Sequence, residues 1–275
     1  MTGAVLALLS AAVWGAGDFT GGFATRRSDQ YQVLALAAFA GIVMLVAVAI
    51  FWREPLPDRA TLGWASGAGI SGAIGIACLY RGLAEGRAAV VAPTAAVVTA
   101  AVPVLFAALT AGLPRPAQLA GFALAMIGIW LVGHTESDRP ARAGDLKLAL
   151  SAGLGFGGFL TLIAQVDPAL VFMPLAITRT VTFLTALVLL AARRAPLPSP
   201  TSNPFAWVAG LLDASGNVLY LLARQFTRLD VAAVLSSFYP ATTVLLAWIV
   251  SRERVTATQW CGAAVCLAAV ALITL

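Results

Sequence analysis

Apolar residues in this chain fall in long unbroken stretches, separated by short loops that hold nearly all of the charge. A helix needs roughly 20 apolar residues to cross the hydrocarbon core of a bilayer. Ten stretches of that kind can be laid out, at about 3–25, 31–52, 61–80, 88–111, 115–133, 146–166, 169–192, 205–224, 230–251 and 256–275. Strands of a membrane β-barrel would be about 10 residues long with strict apolar–polar alternation. These runs are longer and do not alternate, so the pattern predicts an all-α membrane protein with ten transmembrane helices. Helices also satisfy every backbone polar group where no water is available. The loops are short enough to make successive helices antiparallel neighbours. The longest polar break, His134–Lys147, divides the chain in two.

The two parts repeat one another. Arg53–Pro57 reads REPLP and Arg194–Pro198 reads RAPLP, an offset of 141 residues. Without gaps, the same offset aligns Ser10–Ala11 with Ser151–Ala152, Gly17 with Gly158, Gly69 with Gly210, Gly75 with Gly216 and Gly121 with Gly262. Coincidence explains single matches in a chain rich in Ala, Leu and Gly. It does not explain a charged, proline-bearing motif that recurs in register. The reading is a first repeat at 1–133, a joining segment at 134–145 and a second repeat at 146–275. Each repeat holds an odd number of spans, so the second enters the membrane from the opposite face. The duplication is then an inverted repeat of five plus five, the architecture of alternating access.

Composition agrees with a lipid solvent. With 60% hydrophobic and 11% charged residues and a mean hydropathy of +0.92, a soluble domain of this length could not hide its apolar surface. The net charge of +5 resides in short loops, which suits membrane-flanking anchors rather than a nucleic-acid surface. Cys78, Cys261 and Cys266 lie inside apolar runs without metal-ligand spacing and read as packing residues. The first run continues past signal-peptide length and reads as a span. By loop, five arginines share the side of the N-terminus and eleven basic residues occupy the other, which favours an outside N-terminus.

Small residues and prolines mark close packing and bends. The third span carries Gly63, Gly67, Gly69, Gly72 and Gly75, and the sixth carries Gly153, Gly155, Gly157 and Gly158. Pro93 and Pro103 in the fourth span and Pro240 in the ninth free a backbone carbonyl and permit kinks.

A duplication supplies scaffold, so function is sought where the copies differ. Asp18, Arg179, Asp213 and Asn217 face Phe159, Ala38, Gly72 and Ile76 across the repeat, and all four lie within spans. Asp18 follows Trp14 by one turn and shares its face. A carboxylate there must line a cavity, pair with a cation or be protonated. It reads either as a proton or cation site or as a partner of Arg26 or Arg27. Arg179 is too deep to reach the interface easily. It reads as a counter-charge for a substrate anion or as an ion-pair partner of Asp18 or Asp213. Asp213, Asn217 and Tyr220 form one stripe on the eighth span, suited to a pore lining or to interhelical hydrogen bonds. Tyr80 and Tyr239 are candidate aromatic walls. His134, Glu85 and Glu253 read as solvated or paired surface groups. No hydrolase or zinc-protease motif is present, a single His excludes a His-based metal cluster, and no phosphate-binding loop is available for ATP. The expectation is no enzyme, no metal and no cofactor, with energy drawn from a gradient.

The ten-span duplication, Trp14–Gly15, and the ending Ser236–Val270 with Pro240, Glu253 and Gly262 resemble the EamA-type carriers of the drug/metabolite transporter superfamily. The first half departs from that ending, with Thr99 and Gly112 at the positions of Pro240 and Glu253. The resemblance implies cytoplasmic termini, against the charge count. It also implies an inner (plasma) membrane secondary transporter, an exporter of a small polar metabolite, with lipid and solute as partners; Arg179 with Asp18 and Asp213 suits a zwitterion such as an amino acid, and equally suits internal pairing. Substrate contacts are expected from Arg179, Asp213, Asn217, Tyr220, Trp14, Tyr80 and Tyr239, and proton coupling from Asp18 or Asp213. An uncoupled facilitator, a drug-efflux carrier and a membrane-embedded structural partner are the competing readings. A monomer or a homodimer fits equally.

Overall fold

The computed structural model describes residues 1–85, 88–133, 143–252 and 254–274, apart from the side chains of Tyr80, 83–85 and 88–90. The Tyr80 side chain, and the expectations placed on Glu85, His134 and Glu253, therefore lie outside the described residues. Among the described residues eleven helices follow one another: α1 (Thr2–Thr25), α2 (Gln30–Phe51), α3 (Arg59–Glu85), α4 (Ala88–Ala111), α5 (Pro116–Gly133), α6 (Ala143–Ile163), α7 (Phe172–Ala192), α8 (Pro204–Phe226), α9 (Leu229–Ser236), α10 (Tyr239–Ser251) and α11 (Ala257–Thr274). Among the described residues, ten helical segments are long and apolar enough to cross a membrane, because α9 and α10 together make the ninth.

The sequence predicts one kinked helix over 230–251; the structure divides it at Ser237 and Phe238. Pro240 sits in the first turn of α10, where its missing N–H costs nothing. The chain tightens before it, with the Phe238 N–H donating to Leu235 O at 3.3 Å and the Ala241 N–H to Phe238 O at 3.0 Å. In α4, Pro93 and Pro103 lie inside one continuous helix. The seventh span begins at Phe172 rather than 169. Asp167 holds the preceding turn, accepting the Ala169 N–H on its side chain and the Leu170 N–H on its carbonyl, each at 2.9 Å.

Interhelical contacts obey the 141-residue offset and run antiparallel. A Cβ added to Gly121 would meet Ile273 at 2.7 Å, and one added to Gly262 would meet the Val132 backbone at 2.7 Å. Those two contacts are images of each other, and they reverse direction between α5 and α11. Likewise Gly69 of α3 lies against Thr178 of α7, and Gly210 of α8 against Ala37 of α2. Helix α2 packs on its own counterpart α7, end to opposite end. The Glu54 carboxylate, just past α2, accepts the N–H groups of Val171 (2.6 Å), Phe172 (3.0 Å) and Met173 (2.6 Å) at the start of α7. At the other end, Gln32 Nε2 donates to Pro196 O at 2.9 Å. Equivalent helices that pack antiparallel put the pseudo-two-fold axis in the membrane plane, so the repeat is inverted.

The recurring loop motif acquires a structural reason. Arg53 and Arg194 both take left-handed backbone conformations, at φ 53° and 52°, and end α2 and α7 alike. The residue after each arginine differs because the caps differ. Glu54 caps α7 across the repeat, whereas α2 is capped locally by Asp29, which accepts the Tyr31 N–H at 2.8 Å. Ala195 therefore has no capping duty.

The principal helix pairs are α1 with α8, α3 with α6, α4 with α6, α2 with α7 and α5 with α11, each joining one half to the other. Ten crossings place both ends of the described chain on one face, the terminal face. There α9 is buried at every one of its eight residues. Arg228 stands over it, 2.9 Å from Asp230 Oδ2 and donating to Gly112 O at 2.9 Å. The halves are not identical in pose. Thr99, Ala100, Val104 and Ala107 of α4 are buried, and α4 packs along α5. Their counterpart α10 has no buried residue, and its contacts run to α1 and α5 rather than along α11.

Candidate functional site

The site assembles on α1, α7, α8 and the start of α10. On α1, positions 7, 11, 14 and 18 form one stripe. Ala7 and Ala11 are buried (0% and 3% exposed), so this stripe faces the bundle and not lipid. Asp18 stands on the same stripe and is exposed. Asp18 is thus accessible on a stripe whose other members pack inward. The arginines considered as its partners are engaged elsewhere: Arg26 lies over the Phe23 ring at 5.2 Å and Arg27 over Phe205 at 4.6 Å.

On α8, Ala206, Ala209, Gly210, Ala214 and Asn217 mark the buried face. Asp213 shares it, yet its side chain is 42% exposed, against 13% for Arg179. Arg179 NH1 pairs with Asp213 Oδ2. The Arg179 stem rests against Gly41 of α2, where a Cβ would come within 3.4 Å of it. Of the two ion-pair partners offered by the sequence, the arginine takes Asp213. Asp18 lies within electrostatic reach of Asp213 and of Tyr239. The cluster is thus two carboxylates and one guanidinium, with one carboxylate not neutralised by the pair.

Asn217 holds the other side of Asp213. Its Nδ2 donates to Asp213 O at 2.6 Å and lies 3.4 Å from Oδ1. Trp14 Nε1 donates to the same backbone carbonyl at 3.2 Å. The Trp14 ring stacks on Tyr220 at 6.0 Å and 30° and meets Tyr239 edge-on at 6.5 Å and 88°. Tyr220 is fully enclosed, and its hydroxyl donates to Leu160 O at 2.8 Å. In this conformation it braces α8 against α6 and offers no surface to a solute. Two buried polar atoms remain without a hydrogen-bond partner here: Arg179 Nε, a donor, and Asn217 Oδ1, an acceptor. Such atoms are costly unless something fills their valence.

Several residues that hold the site were not singled out from sequence. Ser10 Oγ donates to Gly216 O at 2.8 Å, Ser236 Oγ to Ala7 O at 3.2 Å and Thr243 Oγ1 to Gly15 O at 3.1 Å. These hydroxyls tie α1 to α8, α9 and α10 around the aromatic group. Gly216 leaves room for the Trp14 ring, which an added Cβ would strike. Ser10 was visible only as a member of a repeat pair.

Comparison with known proteins decides the family. The model of the EamA-like transporter family matches residues 1–133 and 146–275. The chain belongs to the EamA-like transporter family. It is accordingly a multi-pass membrane protein of a family that transports small solutes. No curated protein matches. Twenty-eight solved chains do. One, described only as "Crystal structure of protein", superposes with a TM-score of 0.75 over 98% of this chain and 96% of its own, at 18% identity. That likeness is one of fold.

Proposed function

We propose that this EamA-like protein is a secondary transporter of the inner membrane that exports a small polar metabolite, such as an amino acid, by alternating access. The carrying observation is Asp18, exposed on a helix stripe that otherwise packs into the bundle. A carboxylate in that position answers a cation: an amine of the solute, or a coupling proton. Arg179 answers an anion. A substrate carboxylate would replace Asp213 on the guanidinium, and Arg179 Nε and Asn217 Oδ1 would gain their missing partners. Trp14 and Tyr239 would flank the bound solute. The buried α9 supplies the closed gate at the terminal face, and the displaced α10 supplies the open gate at the other. The reading needs no cofactor.

The test is metabolite profiling of medium from cells expressing wild type, Arg179→Ala or Asp18→Asn at matched protein levels. The expected result is one solute that accumulates outside only with wild type. Flux retained in Asp18→Asn and Asp213→Asn would point to an uncoupled facilitator. A silent panel in both export and import directions would refute transport and favour a membrane-embedded structural partner.

A further inference from the structure

Between α10 and α11 the structure holds a cleft of about 340 Å³, lined by Ala11, Val132, Leu245, Trp248, Ala263 and Leu267 among others. In the first half the equivalent helices, α4 and α5, pack along each other. Thr242 and Gln259 are the polar residues of its wall. Water in a cavity needs two to four polar partners, so this wall is poorly suited to water. The cleft lies within membrane-spanning segments, and what reaches it there is hydrocarbon.

The cleft shares Trp248 and Val255 with the lining of a second hollow, whose wall also holds Ile249, Arg252 and Arg254. That hollow sits where α10 ends, at the face opposite the termini. Trp248 and Trp260 meet there edge to face at 5.5 Å, an aromatic pair at interface level. Apolar slot, aromatic collar and paired arginines therefore follow one another from the bilayer interior to its surface. Basic residues between helices at a membrane surface select anionic head groups.

We propose that the α10–α11 cleft is a binding site for one anionic phospholipid of the bilayer, with an acyl chain in the slot and the phosphate at Arg252 and Arg254. The chain fills the space that α10 would enter to meet α11 as α4 meets α5. Given the alternating-access reading above, the bound lipid holds the ninth span in its displaced position. The binding itself does not depend on that reading.

The experiment uses the full chain reconstituted in phosphatidylcholine vesicles, with phosphatidylglycerol brominated on one acyl chain as the probe. Quenching of tryptophan fluorescence is followed against probe mole fraction. Saturable quenching is expected, lost in Trp248→Phe/Trp260→Phe. Brominated phosphatidylcholine is expected to quench only in proportion to its mole fraction. Arg252→Gln/Arg254→Gln should raise the half-quenching mole fraction roughly tenfold or more. Ala263→Phe, which fills the slot and keeps the arginines, should abolish the saturable phase while thermal unfolding still shows a folded protein. Equal quenching by both lipids, or an unchanged midpoint in either the double-arginine or the slot-filling variant, would overturn the site. Solute flux plays no part in the readout, so a failure of the transport reading leaves this result distinct.

Discussion

Removing the Glu54 carboxylate tests how the two halves are joined. Its oxygens take the N–H groups of Val171, Phe172 and Met173 at 2.6, 3.0 and 2.6 Å, all the donors that the start of α7 leaves without partners, since the fourth position is Pro174 and has no N–H. An ordinary N-cap deletion costs about 0.5–2 kcal/mol. Hydrogen bonds to a charged group contribute about 1.5–3 kcal/mol each when they cannot be replaced. Glu54 is half-buried at the end of a span, so water can reach the vacated donors and the three bonds do not add. Glu54→Ala should therefore cost about 1–3 kcal/mol, weighing cap and charge together. Glu54→Gln keeps one carbonyl acceptor and should cost about half of that. Equilibrium unfolding in mixed detergent micelles, with helicity as the signal, reads both. Asp29→Ala removes the local cap of α2 and should cost about 1 kcal/mol. Ala195→Glu, which restores the missing acid of the motif, should gain nothing. A change below about 0.3 kcal/mol in Glu54→Ala, on a scale where an ordinary cap contributes about 1, would refute the cross-repeat cap.

Further outcomes follow from the site and its supports. A double-mutant cycle on Arg179→Ala and Asp213→Ala should give a coupling of about 1 kcal/mol, at the low end for contacting pairs because Asp213 is 42% exposed; zero coupling would mean that the ion pair carries no stability. Gly216→Ala drives a methyl into the Trp14 ring and should destabilise by about 1–3 kcal/mol, seen as earlier loss of tryptophan fluorescence on heating. Hydrogen bonds from Thr61, chiefly its backbone N–H at 2.8 Å, hold the Asp58 carboxyl below its ordinary 3.8. A lowered value stabilises the fold when the group is ionised, so the contribution is complete above that ordinary value and is lost as pH falls through the lowered one. Wild type and Asp58→Ala should differ in thermal unfolding near neutrality and converge in acid; a constant gap would refute the assignment.

The repeat and the spans were legible because lipid leaves a helix little choice: twenty apolar residues and a recurring loop motif suffice. The break at Ser237–Phe238 was not. Pro93, Pro103 and Pro240 present the same local signal, and only the packing around α9 and α10 decides which one interrupts its helix. Arg179 with Asp213 was legible as one of two pairings, since opposite charges in hydrocarbon must find each other, but the choice over Asp18 is tertiary. Asn217 on Asp213 is one helical turn and could be read; Tyr220 on Leu160 O joins two helices of the second half 60 residues apart and could not. Glu54 was within reach. It differs from Ala195 in the loop motif that reveals the duplication, so the copies differ informatively outside the spans as well as within them.

Because every principal helix pair joins one half to the other, the first five spans emerge from the ribosome without their partners. At about 5–20 residues per second, the remaining half takes roughly ten seconds or more to appear. Through that interval α1 waits in the bilayer with Trp14 and Asp18 facing no cognate surface, exposed to quality-control proteases and to mispairing with other nascent chains. Substitutions that slow synthesis in the second half should then lower the yield of intact protein without altering the finished fold. Gene fragments encoding either half alone should be degraded, yet give stable protein when expressed together.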